Sequence, residues 1–157
     1  MFNQLFPQRL DNTYRGHRLA LWLFATVVAV RMLQSVMVIF NGYSIAKSAD
    51  GIPLDTYPSA AAQTVVQLFM LIGLARLIIS LLCVLMLVRY RTAIPLMFTL
   101  LILSYLGALL INQRVPTVTV GTPPGPGVGL VLFALMIVGL ALSLRSQGNR
   151  RMQALPS

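Results

Sequence analysis

Acidic residues are scarce in this 157-residue chain. Three Asp and Glu stand against twelve Lys and Arg, and none of the three lies in an apolar run. An exporter driven by protonation of an intramembrane carboxylate is thereby excluded. Cysteine occurs once, as Cys83 inside an apolar run, which rules out an intrachain disulfide and the paired thiols of a membrane thiol–disulfide oxidoreductase. Histidine also occurs once, as His17, so bis-histidine haem ligation within one chain fails, and no His, Cys and carboxylate cluster has metal spacing. Asp50 and Asp55 are two carboxylates in one loop, too few for a cation site, and pairing with Lys47 is the plainer reading. His17 and Asp11 lie in a basic segment without the setting of a catalytic pair, and there is no glycine-rich phosphate loop. The chain is read as a non-enzyme, with no catalytic residue, no metal and no cofactor.

Charged residues make up 10% of the chain, where a soluble domain carries about 25%. Hydrophobic residues reach 57%, gathered in long uncharged stretches that are candidate membrane spans. The net charge of +9 is scattered at the ends of these stretches, so nucleic acid is not an expected partner. The expected fold is an all-α membrane protein: one four-transmembrane-helix bundle over residues 1–157.

The spans read as about 19–40, 60–88, 93–111 and 128–144. The first reaches ~33 Å at 1.5 Å per residue and the second ~43 Å, so the second must tilt or project from a ~30 Å core. Arg15 and Arg18 precede Leu19 much as in a signal peptide, but the apolar run resumes after Arg31, which predicts an uncleaved anchor. Pro95 fits the first turn of span three, and Pro126 fits a helix start just before span four. The loop 41–59 reads as ordered turns. The loop 112–127 holds a β-prone run at 117–119, then a Pro/Gly cluster that cannot be helical. The connection 89–92 is so short that spans two and three are expected to form a tight antiparallel hairpin. Phe2, Leu5, Phe6 and Leu10 suit either an interfacial amphipathic piece or a partly ordered tail.

With the amino terminus inside, Arg9, Arg15, Arg18, Arg89, Arg91, Arg145, Arg150 and Arg151 fall on the cytoplasmic side, and only Lys47 and Arg114 fall outside. That asymmetry predicts both termini in the cytoplasm, as in a multi-pass protein of a bacterial inner (plasma) membrane. The basic tails 1–18 and 145–157 would then meet anionic lipid, and His17 would add to the inner cluster.

The two remaining cations, Arg31 and Arg76, sit near the middle of spans one and two. A guanidinium at the bilayer centre costs ~2.5–3.5 kcal/mol on insertion scales. On span one, Gln34 and Ser35 fall within about 60° of Arg31 and form a polar stripe with it. On span two, Gly73, Ser80 and Cys83 share the face of Arg76, while Gln63 and Gln67 lie opposite, which suggests a helix central in the bundle or facing an oligomer partner. Both arginines lie roughly 18 Å from the cytoplasmic helix ends, hence at one depth. Three readings stand side by side. The guanidiniums bond glutamine, serine and carbonyl groups or snorkel to the surface. They grip a lipid phosphate or other anion, with Arg31, Arg76, Gln34 and Ser35 as contacts. Or they pair with an acid on a partner subunit.

Ser104 and Gly107 on span three, and Gly139 and Ser143 on span four, are small residues expected at helix contacts, together with Gly73, Ser80 and Cys83. The leading expectation is a small accessory or scaffold protein that assembles with itself, as a homo-oligomer, or with a larger membrane complex. The alternative is a small transporter or lipid- or anion-binding protein working through Arg31 and Arg76. An enzyme acting on a lipid or quinone ranks last, because no acid–base group is placed in the membrane.

Overall fold

The computed structural model describes Asn12, Tyr14 and residues 16–116 and 118–145. The amino-terminal segment with Arg9, Asp11 and Arg15, Thr117, and the tail with Arg150 and Arg151 lie outside the described residues. Five α-helices and no strand occur among those described: α1 (Arg18–Phe40), α2 (Gly42–Ser48), α3 (Ser59–Arg89), α4 (Ile94–Arg114) and α5 (Gly125–Arg145). All but α2 are long and apolar enough to cross a membrane. Tyr14, just before α1, donates to Ser143 near the end of α5 at 3.3 Å, so both described ends of the bundle share one face, here called the terminal face. The loops 41–58 and 115–124 cover the other, the loop face.

Helix ends follow local chemistry. His17 caps α1: its Nδ1 accepts from the Leu19 N–H at 3.1 Å. Helix α5 starts at Gly125 and so takes in Pro126 and Gly127, which were read as loop. Proline is tolerated in a first turn, where its missing N–H would find no intrahelical acceptor. The loop 41–59 holds more regular structure than its turn residues announce. It contains α2 and a 3-10 turn at Leu54–Thr56, with Ala46, Ile52 and Leu54 forming a small buried cluster over the start of α3.

The packing order is α3–α1–α5–α4. Helix α1 packs most extensively against α3 and also against α5, and α5 packs against α4. The helix at the centre is therefore α1, and not the doubly polar α3. Nor do α3 and α4 make the extended hairpin that their short connection suggests. Past the 3-10 turn Arg91–Ala93 they touch sparsely, because the buried stripe of α4 turns to α1 and α5. Phe98 is fully buried and meets Phe24 edge to face, with ring centroids 5.0 Å apart. Gly139 lets α5 approach that ring: a Cβ there would come within 2.7 Å of Phe98 Cε1. Gly73 similarly lies against Val38 and Ile39 of α1.

Ser80, Cys83 and Ser143 are buried with these glycines, but the packing role stops short of Ser104 and Gly107. Ser104 is exposed, and nothing lies within 4 Å of a Cβ built on Gly107. The physical reason is that past Leu101 the contact of α4 with α5 passes to Tyr105, stacked on Phe133 with ring centroids 4.6 Å apart, and away from the stripe of Ser104. Ile94, Met97, Phe98 and Leu101 are buried, whereas Ser104, Ala108 and Ile111, which continue the same stripe, are exposed.

Gly139→Ala should therefore lower the thermal midpoint in detergent, with an overpacking penalty of ~1–3 kcal/mol, because Phe98 is wedged against Phe24 and cannot swing away. Gly107→Ala should leave the midpoint equal or higher. Equal midpoints for both variants would show that the Phe98 contact is not tight.

Candidate functional site

Arg31 lies on the packed seam of α1. Phe24, Val27 and Val28 are buried below it and Ser35 and Val38 above it, at helical spacing. Its Nε is buried and finds no hydrogen-bond partner among the described residues. Among the described residues the one acceptor for its terminal nitrogens is weak, Met136 Sδ on α5, 3.9 Å from Nη2. The guanidinium lies within electrostatic reach of Arg76 and of Cys83, both on α3.

Arg76 occupies the same stripe of α3 as Gly73, Ser80 and Cys83, all buried, yet it is itself exposed. Its side chain is therefore not covered by the neighbouring helices. It lies within electrostatic reach of Arg31 on α1 and of Asp50 in the loop before α3. Ile72 and Ile79, on the edge of the stripe turned from α1, are exposed as well.

Both arginines stand above a packed floor. Toward the terminal face the interior is shut by Phe24, Phe98, Met97, Cys83 and Met136, which form one buried cluster. Above that cluster α3 and α4 touch sparsely. The two arginines are not at one depth. Gly73 lies against Val38, and Gly42 against Met70, a register that sets Arg76 level with Ser35 and Arg31 level with Ser80. That separates them by about one helical turn, ~5–6 Å along the axis. Side chains lean toward the amino end of their helix, so Arg31 leans to the terminal face and Arg76 to the loop face.

The polar neighbours expected from the sequence do not serve the guanidiniums. Ser35 Oγ donates to the Arg31 carbonyl at 2.7 Å, and Ser80 Oγ to the Arg76 carbonyl at 2.9 Å. The shared Arg-x-x-x-Ser spacing is thus backbone bonding one turn back. The Ser35 hydroxyl proton is not offered to an anion. Gln34 is exposed and makes no hydrogen bond among the described residues, because its position falls off the buried seam. Gln63 and Gln67 line a separate cavity of about 560 Å³ on the loop face, with Tyr43, Asp55 and Tyr57.

Asp50 is the member of the site that sequence reasoning missed. It stands beside Gly51, whose φ of 70° marks a turn, and it reads as loop chemistry. The fold pins that turn to α5. Ala49 accepts from the Gly125 N–H at 3.0 Å, Gly51 from the Val120 N–H at 2.8 Å, and Asp50 Oδ1 would lie 2.8 Å from a Cβ on Gly125. The carboxylate therefore lies at the positive end of the α5 dipole, on the loop face. Asp55, in contrast, pairs with Lys47 and accepts from Tyr43 at 2.7 Å, which holds its carboxyl below the ordinary range. Among the described residues no three His, Cys, Asp or Glu side chains gather as a metal site would require.

No protein-family model matches the sequence, and comparison with curated proteins and with solved structures finds no match either. The site must be argued from its own geometry.

Burial pushes the Asp50 carboxyl upward, and Arg76 opposes that shift. A carboxyl whose folded pKa is raised contributes stability below its ordinary value of 3.8, and that contribution is lost as pH rises through the folded value. Asp50→Asn should accordingly raise the midpoint at neutral pH relative to its effect at pH 3–4, and Arg76→Gln should push the Asp50 titration higher still. A side-chain carboxyl titration by NMR checks both. A midpoint at or below the ordinary value would show that Asp50 is not buried there.

Proposed function

We propose that the chain is a non-enzymatic membrane protein that holds an anionic group at Arg31 and Arg76. The observation that carries this reading is the buried, partnerless Nε of Arg31 within electrostatic reach of an exposed Arg76. Two cations so placed repel unless an anion or bulk water lies between them. A planar guanidinium also matches a phosphate or carboxylate better than it matches a thioether. The intramembrane glutamines and serines, which would satisfy the arginines in a purely structural role, are turned elsewhere.

The distribution of basic residues supports a bacterial inner membrane, with the terminal face in the cytoplasm and the loop face outside. In that orientation the Phe24, Phe98 and Met136 floor bars passage to the cytoplasm. Transport of the anion would require those side chains to part, whereas binding requires no such change.

The accessory role keeps one specific observation in its favour. Helix α3 packs along α1 and scarcely elsewhere, so the side bearing Arg76, Ile72 and Ile79 is uncovered. A partner helix carrying a carboxylate at mid-membrane would fit there and meet the same arginine.

Native mass spectrometry of the protein released from its own membrane separates these roles. The expected result is a bound anionic mass that is lost in Arg31→Gln and in Arg76→Gln, with both variants still inserted and helical. A charge-assisted hydrogen bond contributes roughly 1.5–3 kcal/mol, so each variant should lower occupancy about tenfold or more. A heteromeric mass lost in the same variants would make the chain a subunit. If both variants keep the wild-type mass profile, neither role belongs to these residues.

A further inference from the structure

We propose that the loop-face cavity between α2, the 3-10 turn and α3 binds an uncharged sugar ring. This site does not depend on the arginines, since Gln63 and Gln67 stand on the face of α3 opposite Arg76. The cavity holds about 560 Å³, a size typical of small-molecule sites. Its walls are fixed by the fold. Leu54 is buried in the cluster that packs on Val65, Val66 and Phe69 of α3. The turn carrying Asp55 and Tyr57 is closed by backbone hydrogen bonds, from the Thr56 N–H to the Pro53 carbonyl at 3.0 Å and from the Tyr57 N–H to the Leu54 carbonyl at 3.2 Å.

Charge argues against an ion as the ligand. Asp55 is the one charged residue lining the cavity, and both its oxygens are engaged. Oδ1 accepts from the Tyr43 hydroxyl at 2.7 Å, and Oδ2 pairs with Lys47. An anion would meet a carboxylate, and a cation would meet a carboxylate already balanced. The groups left to satisfy are neutral. Tyr57, Ser59, Gln63 and Gln67 line the cavity, and their side chains make no hydrogen bond among the described residues. Hydroxyls and amides both donate and accept, so a ligand rich in hydroxyls complements them. An apolar chain laid there would strip water from these groups and return nothing. Gln63 and Gln67 are one helical turn apart, with about 5–6 Å between their Cβ atoms, on the scale of one sugar ring. Tyr43 and Tyr57 add aromatic surface, which suits the C–H face of such a ring.

Along an upright α3, Gln67 stands ~33 Å and Gln63 ~39 Å from Arg89, against a hydrocarbon core of ~30 Å. With Arg89 among the head groups of the terminal face, both amides reach the head-group layer of the loop face. Met70 and Leu74 continue the same stripe toward the core and are exposed. A sugar borne on a lipid would seat its ring in the cavity and run its chains down that stripe. A free sugar would reach the same groups from water.

The test uses the full chain in nanodiscs of phosphatidylcholine doped with monoglucosyl diacylglycerol, phosphatidylethanolamine or phosphatidylglycerol, with bound lipid read by native mass spectrometry. Methyl glucoside is titrated separately into discs of phosphatidylcholine alone and followed by saturation-transfer NMR. The glucosyl lipid should be retained about tenfold over the other two. Gln63→Leu and Gln67→Leu should each reduce that preference, and the double variant should abolish it. Tyr57→Phe keeps the ring and removes the hydroxyl, so it should weaken retention less than Tyr57→Ala. Thr64→Leu, one residue from Gln63 and outside the cavity, should leave the preference intact. The glutamines are exposed and unbonded, so their variants should fold, which circular dichroism checks.

Equal retention of the three lipids, together with no response to methyl glucoside, would overturn the proposal. So would a preference that survives the double glutamine variant. Preferential retention of phosphatidylethanolamine would overturn it too, because the Lys47–Asp55 pair would then be opening to a zwitterion. Methyl glucoside binding that is lost in the double variant, without any lipid preference, would uphold the sugar site and assign it to a free solute.

Discussion

A guanidinium on a helix seam cannot be packed as a leucine or phenylalanine is packed. Its five N–H donors require acceptors, and hydrocarbon has none. Arg31 occupies a seam position of α1, the one helix that touches both α3 and α5 extensively. Below it, Phe24, Val27 and Val28 close the interior against Cys83, Phe98 and Met136. Arg31 interrupts that seam, which resumes above it at Ser35 and Val38. The exposure of Arg76 and of Ser104 on α4 is consistent with that interruption.

The loops are held in a defined shape. Two backbone hydrogen bonds tie the turn at Ala49–Gly51 to Val120 and to the first residue of α5. Gly51 can serve there because its left-handed φ carries no Cβ penalty, and a Cβ would also meet the Val120 carbonyl at 3.2 Å. The consequence is that Asp50 is held against the start of α5 and cannot move freely with solvent. At the far side of the same loop, Lys47, Asp55 and Tyr43 join α2 to the 3-10 turn through an exposed ion pair and a hydrogen bond. Such exposed contacts add little to stability. Their effect is to orient the loop.

The long apolar runs made the four long helices legible, and span edges differ from the helices by only a few residues. The small residues at 73, 80, 83, 139 and 143 marked buried positions because burial on one stripe is periodic. Periodicity does not reveal where along a helix its contact passes to another stripe. That is why Ser104 and Gly107, equally small and equally in phase, were read as contacts and are open. The packing order was also hidden. A four-residue connection implies adjacency, but side-chain fit decides how far adjacency extends, and Phe98 against Gly139 draws α4 to α5. The arginines were legible as exceptions to hydropathy, while their supposed partners were not. A serine four residues after an arginine looks like a side-chain ligand on a helical wheel, although its hydroxyl bonds the arginine's own carbonyl. Asp50 was invisible as a site residue because its role depends on a contact spanning 75 positions to Gly125.

The one-turn offset between the arginines decides what kind of anion can satisfy them. At equal depth, and leaning the same way, the guanidiniums would meet face to face, and a small anion would serve as a bridge between equivalent cations. With Arg76 higher and leaning toward the loop face, and Arg31 lower and leaning toward the floor, the donors diverge. A ligand reaching both must be long enough to span the turn, or must bear oxygens on more than one side. Asp50 cannot do this. It is fixed to the start of α5, within electrostatic reach of Arg76. The chain's own acid can thus balance the upper cation while the lower one stays unbalanced. The unmet requirement lies at Arg31, whose Nε is sealed from water and without an acceptor.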